Sequence, residues 1–185
     1  MKKLEKCIIA VLIVVAIGCA SHPKSSATAE EIETLNKLVS EKSFEIQANW
    51  ANPLATGSIN SIANAGLLPP GSTANRIDLS GSASFLRVTG DKVEANLPYF
   101  GERQMGGTYN NNNTGIQFEG VPKDFEIVLN KKTQGYTMRF TISAATETYQ
   151  VVSQLTPSLS STLNINSTHR TAIWYTGRVR PYAKE

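Results

Sequence analysis

The side chains with the means to do chemistry are few, and the first of them is Cys19. It closes the run Ala16-Ile17-Gly18-Cys19, which has the form of a bacterial lipobox. In that chemistry the thiol takes a glyceride as a thioether, and small neighbours let a peptidase approach the backbone. An ordinary signal peptide with an incidental cysteine, or an uncleaved anchor, would be the plainer readings. Two histidines follow, His22 in a small polar stretch and His169 in the polar turn Asn166–Arg170. A histidine-based metal site or a Ser-His-Asp triad would have to use His169, and no partner set accompanies it. G-x-S-x-G, P-loop and H-E-x-x-H patterns do not occur. Carboxylates that could pair for hydrolysis are Glu119 and Asp124 around a turn, and Glu45, Glu94, Glu126 and Glu147 on strands. Such a pair must flank a cleft at about 5 to 9.5 Å, and alternation with apolar residues places these first on solvated strand faces. The aromatic segment Tyr99, Phe100 and Tyr109, with Glu102 and Arg103, lies among Gly and Asn. It could present rings to a glycan, a peptide or a partner protein. The competing role for Tyr99 and Phe100 is to plug one end of a sheet, because Pro98 sets them at a strand end and Gly101 makes the turn.

Around Cys19 the leader has the usual parts. Lys2, Lys3 and Lys6 precede an uncharged run from Cys7 to Ile17. The pattern is that of a secretory signal, and the run is short of the roughly 20 apolar residues that span a bilayer. Residues 1–18 are therefore expected to be a lipoprotein signal peptide, 19–27 a tether and 28–185 one domain. Acylated Cys19 would hold the protein on a membrane, since several acyl chains anchor stably where one is marginal. Ala20 and Ser21 follow, with no Asp after the cysteine, which favours the outer membrane of the cell envelope. Lys2, Lys3 and Lys6 against Glu5 supply two of the +3 formal charges, so the remainder is nearly neutral, about +1. That leaves no basic field for nucleic acid. Of the two cysteines, Cys7 leaves with the signal and Cys19 is acylated, so the domain has no disulfide and rests on packing.

The elements that must position these groups are mostly strands. Thr28 to Glu31 fits a capping box, and Ile32, Leu35, Leu38 and Val39 fall on one helical face, predicting a helix over about 29–41. At Ser43 the period drops to two, with Phe44, Ile46, Ala48 and Trp50 alternating with polar residues until Pro53. Residues 51–75 are small and rich in Gly and Pro; a loop this long is functional, disordered or hides short structure. Alternation resumes around Ile77, Leu86, Val93, Ile116, Phe125, Met138, Val151, Leu163 and Tyr175, with turn residues between. Strands separated by short turns pair with their sequence neighbours. The expected fold is mostly β: an antiparallel meander of about eight to ten strands, curved as a sheet, sandwich or partly open barrel, with one N-terminal amphipathic helix.

One pattern extends across the whole domain. Phe44 with Ala48 and Pro53, Asp78, the run Leu97-Pro98-Tyr99-Phe100-Gly101, Phe118, Glu147 with Tyr149, and Tyr175-x-Gly177 together resemble a family of secreted Bacteroidetes lipoproteins. That family is catalogued as domain of unknown function 4251. The lipobox and first helix fit it, and the loop between Pro53 and Arg76 is longer than the family pattern. The resemblance implies an envelope lipoprotein with a mostly β domain and no assigned activity.

Three functions follow as expectations. The first is a non-catalytic binding or interaction module on the envelope, with a protein or glycan partner contacted through Tyr99, Phe100, Tyr109 and Arg103. The second is a carrier of a small apolar ligand in a β-barrel cavity. The third is a hydrolase using paired carboxylates. No cofactor and no metal ligand set is expected.

Overall fold

The computed structural model describes residues 27–105 and 115–182. Cys19, the leader, most of the tether and Tyr109 lie outside the described residues.

Helix α1 spans Ala29–Glu41. The Thr28 hydroxyl accepts from the Glu31 N–H at 3.2 Å, and the Glu31 carboxylate accepts from the Thr28 N–H at 2.8 Å. These two bonds satisfy orphan donors that begin every helix. Lys42 ends the helix in the left-handed conformation, φ 46°. Leu35 and Leu38 are its buried residues.

The rest follows in the order β1 Ser43–Pro53, α2 Gly57–Asn64, β2 Ile77–Asp78, β3 Phe85–Thr89, β4 Lys92–Leu97 and β5 Ile116–Gly120. It continues with β6 Lys123–Asn130, β7 Gly135–Ala144, β8 Glu147–Leu155, β9 Ser160–Ser167 and β10 Ile173–Pro181. A second helix thus sits inside the expected loop. Thr56 caps it through the Ile59 N–H at 3.4 Å, and Ile59 is its one buried residue. Its small side chains carry too weak an apolar period to announce it.

All ten strands join one antiparallel sheet, in the order β5-β4-β3-β1-β10-β9-β8-β7-β6, with β2 pairing on β1. The connectivity corrects a simple meander. Two meanders, β3 to β5 and β6 to β10, are joined by β1, which lies between β3 and β10 in the middle of the sheet. The sheet curls into a half barrel. Its outermost strands, β5 and β6, are consecutive in sequence and linked only through Val121 and Pro122. The curl brings β5 over the inner side of β7 and β8: Phe118 meets Phe140 edge-on at 6.1 Å and Tyr149 at 5.5 Å.

Alternation decides the faces. Phe44, Ile46, Leu86, Val88, Leu97, Ile116, Met138, Val151, Leu163, Ile165 and Tyr175 are buried, and Leu35 and Leu38 of α1 join them. Burying each such side chain contributes about 1.5–3 kcal/mol, which suits a domain held by packing. The opposite face is polar. There Arg87 bonds Glu45 at 2.7 Å and reaches Glu94 at 3.5 Å.

The central pair β1–β10 contains a register shift between Ala48 and Trp50. Asn49, the extra residue, turns its carbonyl to the Leu79 N–H at 2.8 Å. Opposite this bulge stands Gly177. A Cβ on it would lie 1.9 Å from the Gln47 carbonyl oxygen.

Candidate functional site

The expected site residues lie where the segment after β4 crosses the turn before β10. Pro98 ends β4, and its carbonyl accepts from the buried Tyr175 hydroxyl at 2.8 Å. Tyr99 follows. Its hydroxyl sits 2.8 Å from the Thr171 hydroxyl and 3.1 Å from each of the Thr171 and Glu102 carbonyls. Burial of the ring raises the phenol pKa. Arg103 is paired in antiparallel fashion with Arg170, and the Gln104 N–H donates to the His169 carbonyl at 2.8 Å. Tyr99 and Arg103 thereby fasten this segment to the body of the domain.

Beneath the crossing lies a buried ion cluster. Glu147, 5 % exposed, begins β8; Arg170, 6 % exposed, follows β9. The Arg170 Nε–H reaches both Glu147 oxygens, at 2.8 and 3.1 Å. Arg103 adds a contact at 3.4 Å, and the Ser167 hydroxyl donates to the same carboxylate. The Arg170 guanidinium also stands 5.0 Å from the centre of the Tyr99 ring. Burial alone would raise the Glu147 pKa, but the bonds from Ser167, Arg170 and Tyr149 outweigh it and hold the carboxyl below its ordinary range. The same surroundings, burial foremost and the Glu147 carboxylate next, push the Tyr149 phenol up to about 12. Glu147 is thus not on a solvated strand face. It shares the parity of Tyr149 and Val151, which point inward, and the fold tolerates it there because Arg170 arrives to meet it.

Phe100 has a different setting. It packs on the core and also lines an open, mostly apolar cleft of about 400 Å3. The other walls come from Pro69 and Pro70, from the turn Asp78–Ser82, and from Pro98. Local bonds build these walls. Gly71, at φ 79°, turns the chain after the two prolines, and the Ser72 hydroxyl accepts from the Asp78 N–H at 3.0 Å. Asp78 in turn accepts from the Ser80 N–H at 2.8 Å and from the Ser80 hydroxyl. Those two bonds, side chain first, lower the Asp78 pKa, so one ionised carboxylate marks the rim of an otherwise apolar hollow. Its volume falls in the usual range for ligand pockets, about 300–1,000 Å3.

The sequence profile of a domain of unknown function, DUF4251, matches residues 26–179. The chain belongs to the DUF4251 family. The DUF4251 domain also resembles, in structure, a DUF4251 family protein from Bacteroides eggerthii. The two share 14 % identity and a TM-score of 0.55, over 85 % of this chain and 91 % of the other. At that identity the likeness speaks for the fold. No curated protein matches the sequence. Of the residues that carried the family resemblance, Asp78, Pro98 and Phe100 converge on the cleft, whereas Glu147 and Tyr149 belong to the ion cluster.

The other candidate chemistries are scattered. The His169 ring contacts the Thr168 hydroxyl at 2.8 Å within its turn. Glu94 and Glu119 face each other across β4 and β5, beside Phe85 on an open face of the sheet. Asp124 sits at the β6 irregularity with φ 54°. Among the described residues no cluster of three or more His, Cys, Asp or Glu is placed to hold a metal. Missing from the sequence-based expectation were Pro69, Pro70 and the Leu79–Ser82 turn. Their composition signals loops, and only the tertiary fold brings them against Phe100.

Proposed function

We propose that this DUF4251 protein is a lipid-anchored component of the cell envelope, on the outer membrane, whose β domain is a non-catalytic binding module. The cleft at Phe100 takes an apolar side chain of a partner protein. The observation that carries the reading is the cleft itself: an open hollow of about 400 Å3, walled by a phenylalanine, three prolines and a leucine. Such walls bind by excluding water from an apolar group. The carrier reading asks for ligand space inside the barrel, but the concave face is taken up by core side chains. The hydrolase reading would fall on Glu94 and Glu119, whose open setting offers no exclusion of water.

Two variants test the cleft. Phe100→Ala removes a wall, and Gly81→Trp fills the hollow. A Cβ on Gly81 meets nothing within 4 Å, and its backbone needs no left-handed conformation, so the backbone there accepts a side chain. Captured from crosslinked envelopes, the partner is expected to bind each variant at least about tenfold more weakly, as for loss of a buried anchor. Undiminished capture by Gly81→Trp would reject the cleft.

The anchor has its own test. Cys19→Ser is expected to abolish incorporation of a labelled fatty acid and to release the protein from membranes. Retained label would remove the acylated cysteine from the reading.

A further inference from the structure

A second groove lies on the polar face of the sheet, over its central strands. It is wider and shallower than the cleft, about 590 Å3, and the two share Ser80 in their walls. Its walls combine hydroxyl side chains (Ser160, Thr162, Thr176), the Asn49 amide, the Trp50 indole and two guanidiniums, Arg178 and Arg180. No carboxylate lines it.

The arginines are available to a ligand. They stand two apart on β10 and so project from the same face. Among the described residues neither is within ion-pairing distance of a carboxylate. Glu45 is opposite Arg180 in register, but its carboxylate is given to Arg87 at 2.7 Å. Asp78 is opposite Trp50 and is bonded by Ser80. A third cation, Arg76, is stacked on the Trp50 ring at 3.9 Å, which adds positive charge beside the groove.

The position of the groove narrows the ligand. β10 is hydrogen-bonded on both sides, to β1 and to β9. No free strand edge exists there for an extended peptide to join, so main-chain recognition is closed. What remains is side-chain hydroxyl, amide and guanidinium on a broad surface beside an indole. Hydroxyls and amides match the hydroxyls of sugars, and guanidiniums bind carboxylates in paired, charge-assisted bonds. We propose that the Arg178–Arg180 groove binds an acidic saccharide, with carboxylates on the two arginines and sugar hydroxyls on Ser160, Thr162, Thr176 and Asn49. This site is separate from the Phe100 cleft, and neither reading depends on the other.

Fluorescence supplies the readout. The chain has two tryptophans, so Trp174→Phe leaves Trp50, in the groove, as the reporter. The purified full chain would be titrated with a hexagalacturonate, with a neutral hexasaccharide of galactose, and with hexaglutamate. Expected is a saturable change in Trp50 emission with hexagalacturonate and little with the neutral sugar. Affinity should fall about tenfold for each of Arg178→Gln and Arg180→Gln, and should weaken as salt rises. Both arginines are exposed, so the variants are expected to melt with the parent. Phe100→Ala should leave this binding intact, because Phe100 lines the cleft and not the groove, which separates the two sites. Absence of hexagalacturonate binding, equal binding of hexaglutamate, or indifference to both arginine substitutions would overturn the proposal.

Discussion

Glu147→Ala is expected to lower the unfolding free energy by about 3–5 kcal/mol, the usual consequence of removing one partner of a buried ion pair. The change takes from Arg170 the carboxylate that its Nε–H holds at 2.8 and 3.1 Å, while the guanidinium stays 6 % exposed. It also takes the acceptor from Ser167 and the contact from Arg103. Chemical denaturation would read the loss, and Glu126→Ala gives the contrast. Glu126 pairs with Arg139 at 3.5 Å with both side chains more than half exposed, and exposed pairs contribute about 0–1 kcal/mol. If the two variants lost equally little, the buried cluster would not be what fastens the segment after β4. The effect also has a direction in pH. The folded Glu147 pKa is depressed, so its contribution is complete above the unfolded value, about 4.3, and is lost as pH falls through the folded one. The stability gap between wild type and Glu147→Gln should therefore narrow on acidification below about pH 4.

Gly177→Ala should be comparably severe. The new methyl would stand 1.9 Å from the Gln47 carbonyl oxygen, 2.8 Å from its carbon and 3.0 Å from the Ala48 Cα. These are backbone atoms of β1, the strand held between β3 and β10, and they have no rotamer by which to move aside. Relief requires separating the central pair of strands at its bulge. A cost of about 3 kcal/mol or more follows from overpacking of this kind, which for a chain of this length lowers Tm by about 10 °C. Gly57→Ala serves as control, because a Cβ there meets nothing within 4 Å. Equal melting temperatures for the two variants would show that β1 and β10 separate here at little cost.

Much of this architecture was legible in local pattern. The capping box before α1, the strict alternation of β7 to β9, and the break at Gly90-Asp91 all follow from side-chain period and turn chemistry. The place of β1 was not, because its partners on one side lie more than 100 residues away, at Arg178 and Arg180 of β10, and nothing local names them. Helix α2 was hidden because a single buried residue, Ile59, cannot establish a period. At the candidate site, Pro98 rightly set Tyr99 and Phe100 at a strand end, but composition could not separate their roles. Tyr99 has a hydroxyl that finds Thr171, whereas Phe100, with none, remains to line the cleft. The inward parity of Glu147 was visible in β8. Its acceptability depended on Arg170, and that meeting is set by the β8–β9 hairpin and the turn after it.

The pairing of β1 with β10 joins Phe44 to Pro181 across the middle of the sheet. During synthesis β1 is made early, yet one whole side of it has no partner until the last residues of the domain arrive. Contacts of such sequence separation form slowly. Until β10 has been made, the nascent domain therefore lacks its central seam. Closure of the sheet is thereby deferred by topology alone until β10 can pair with β1.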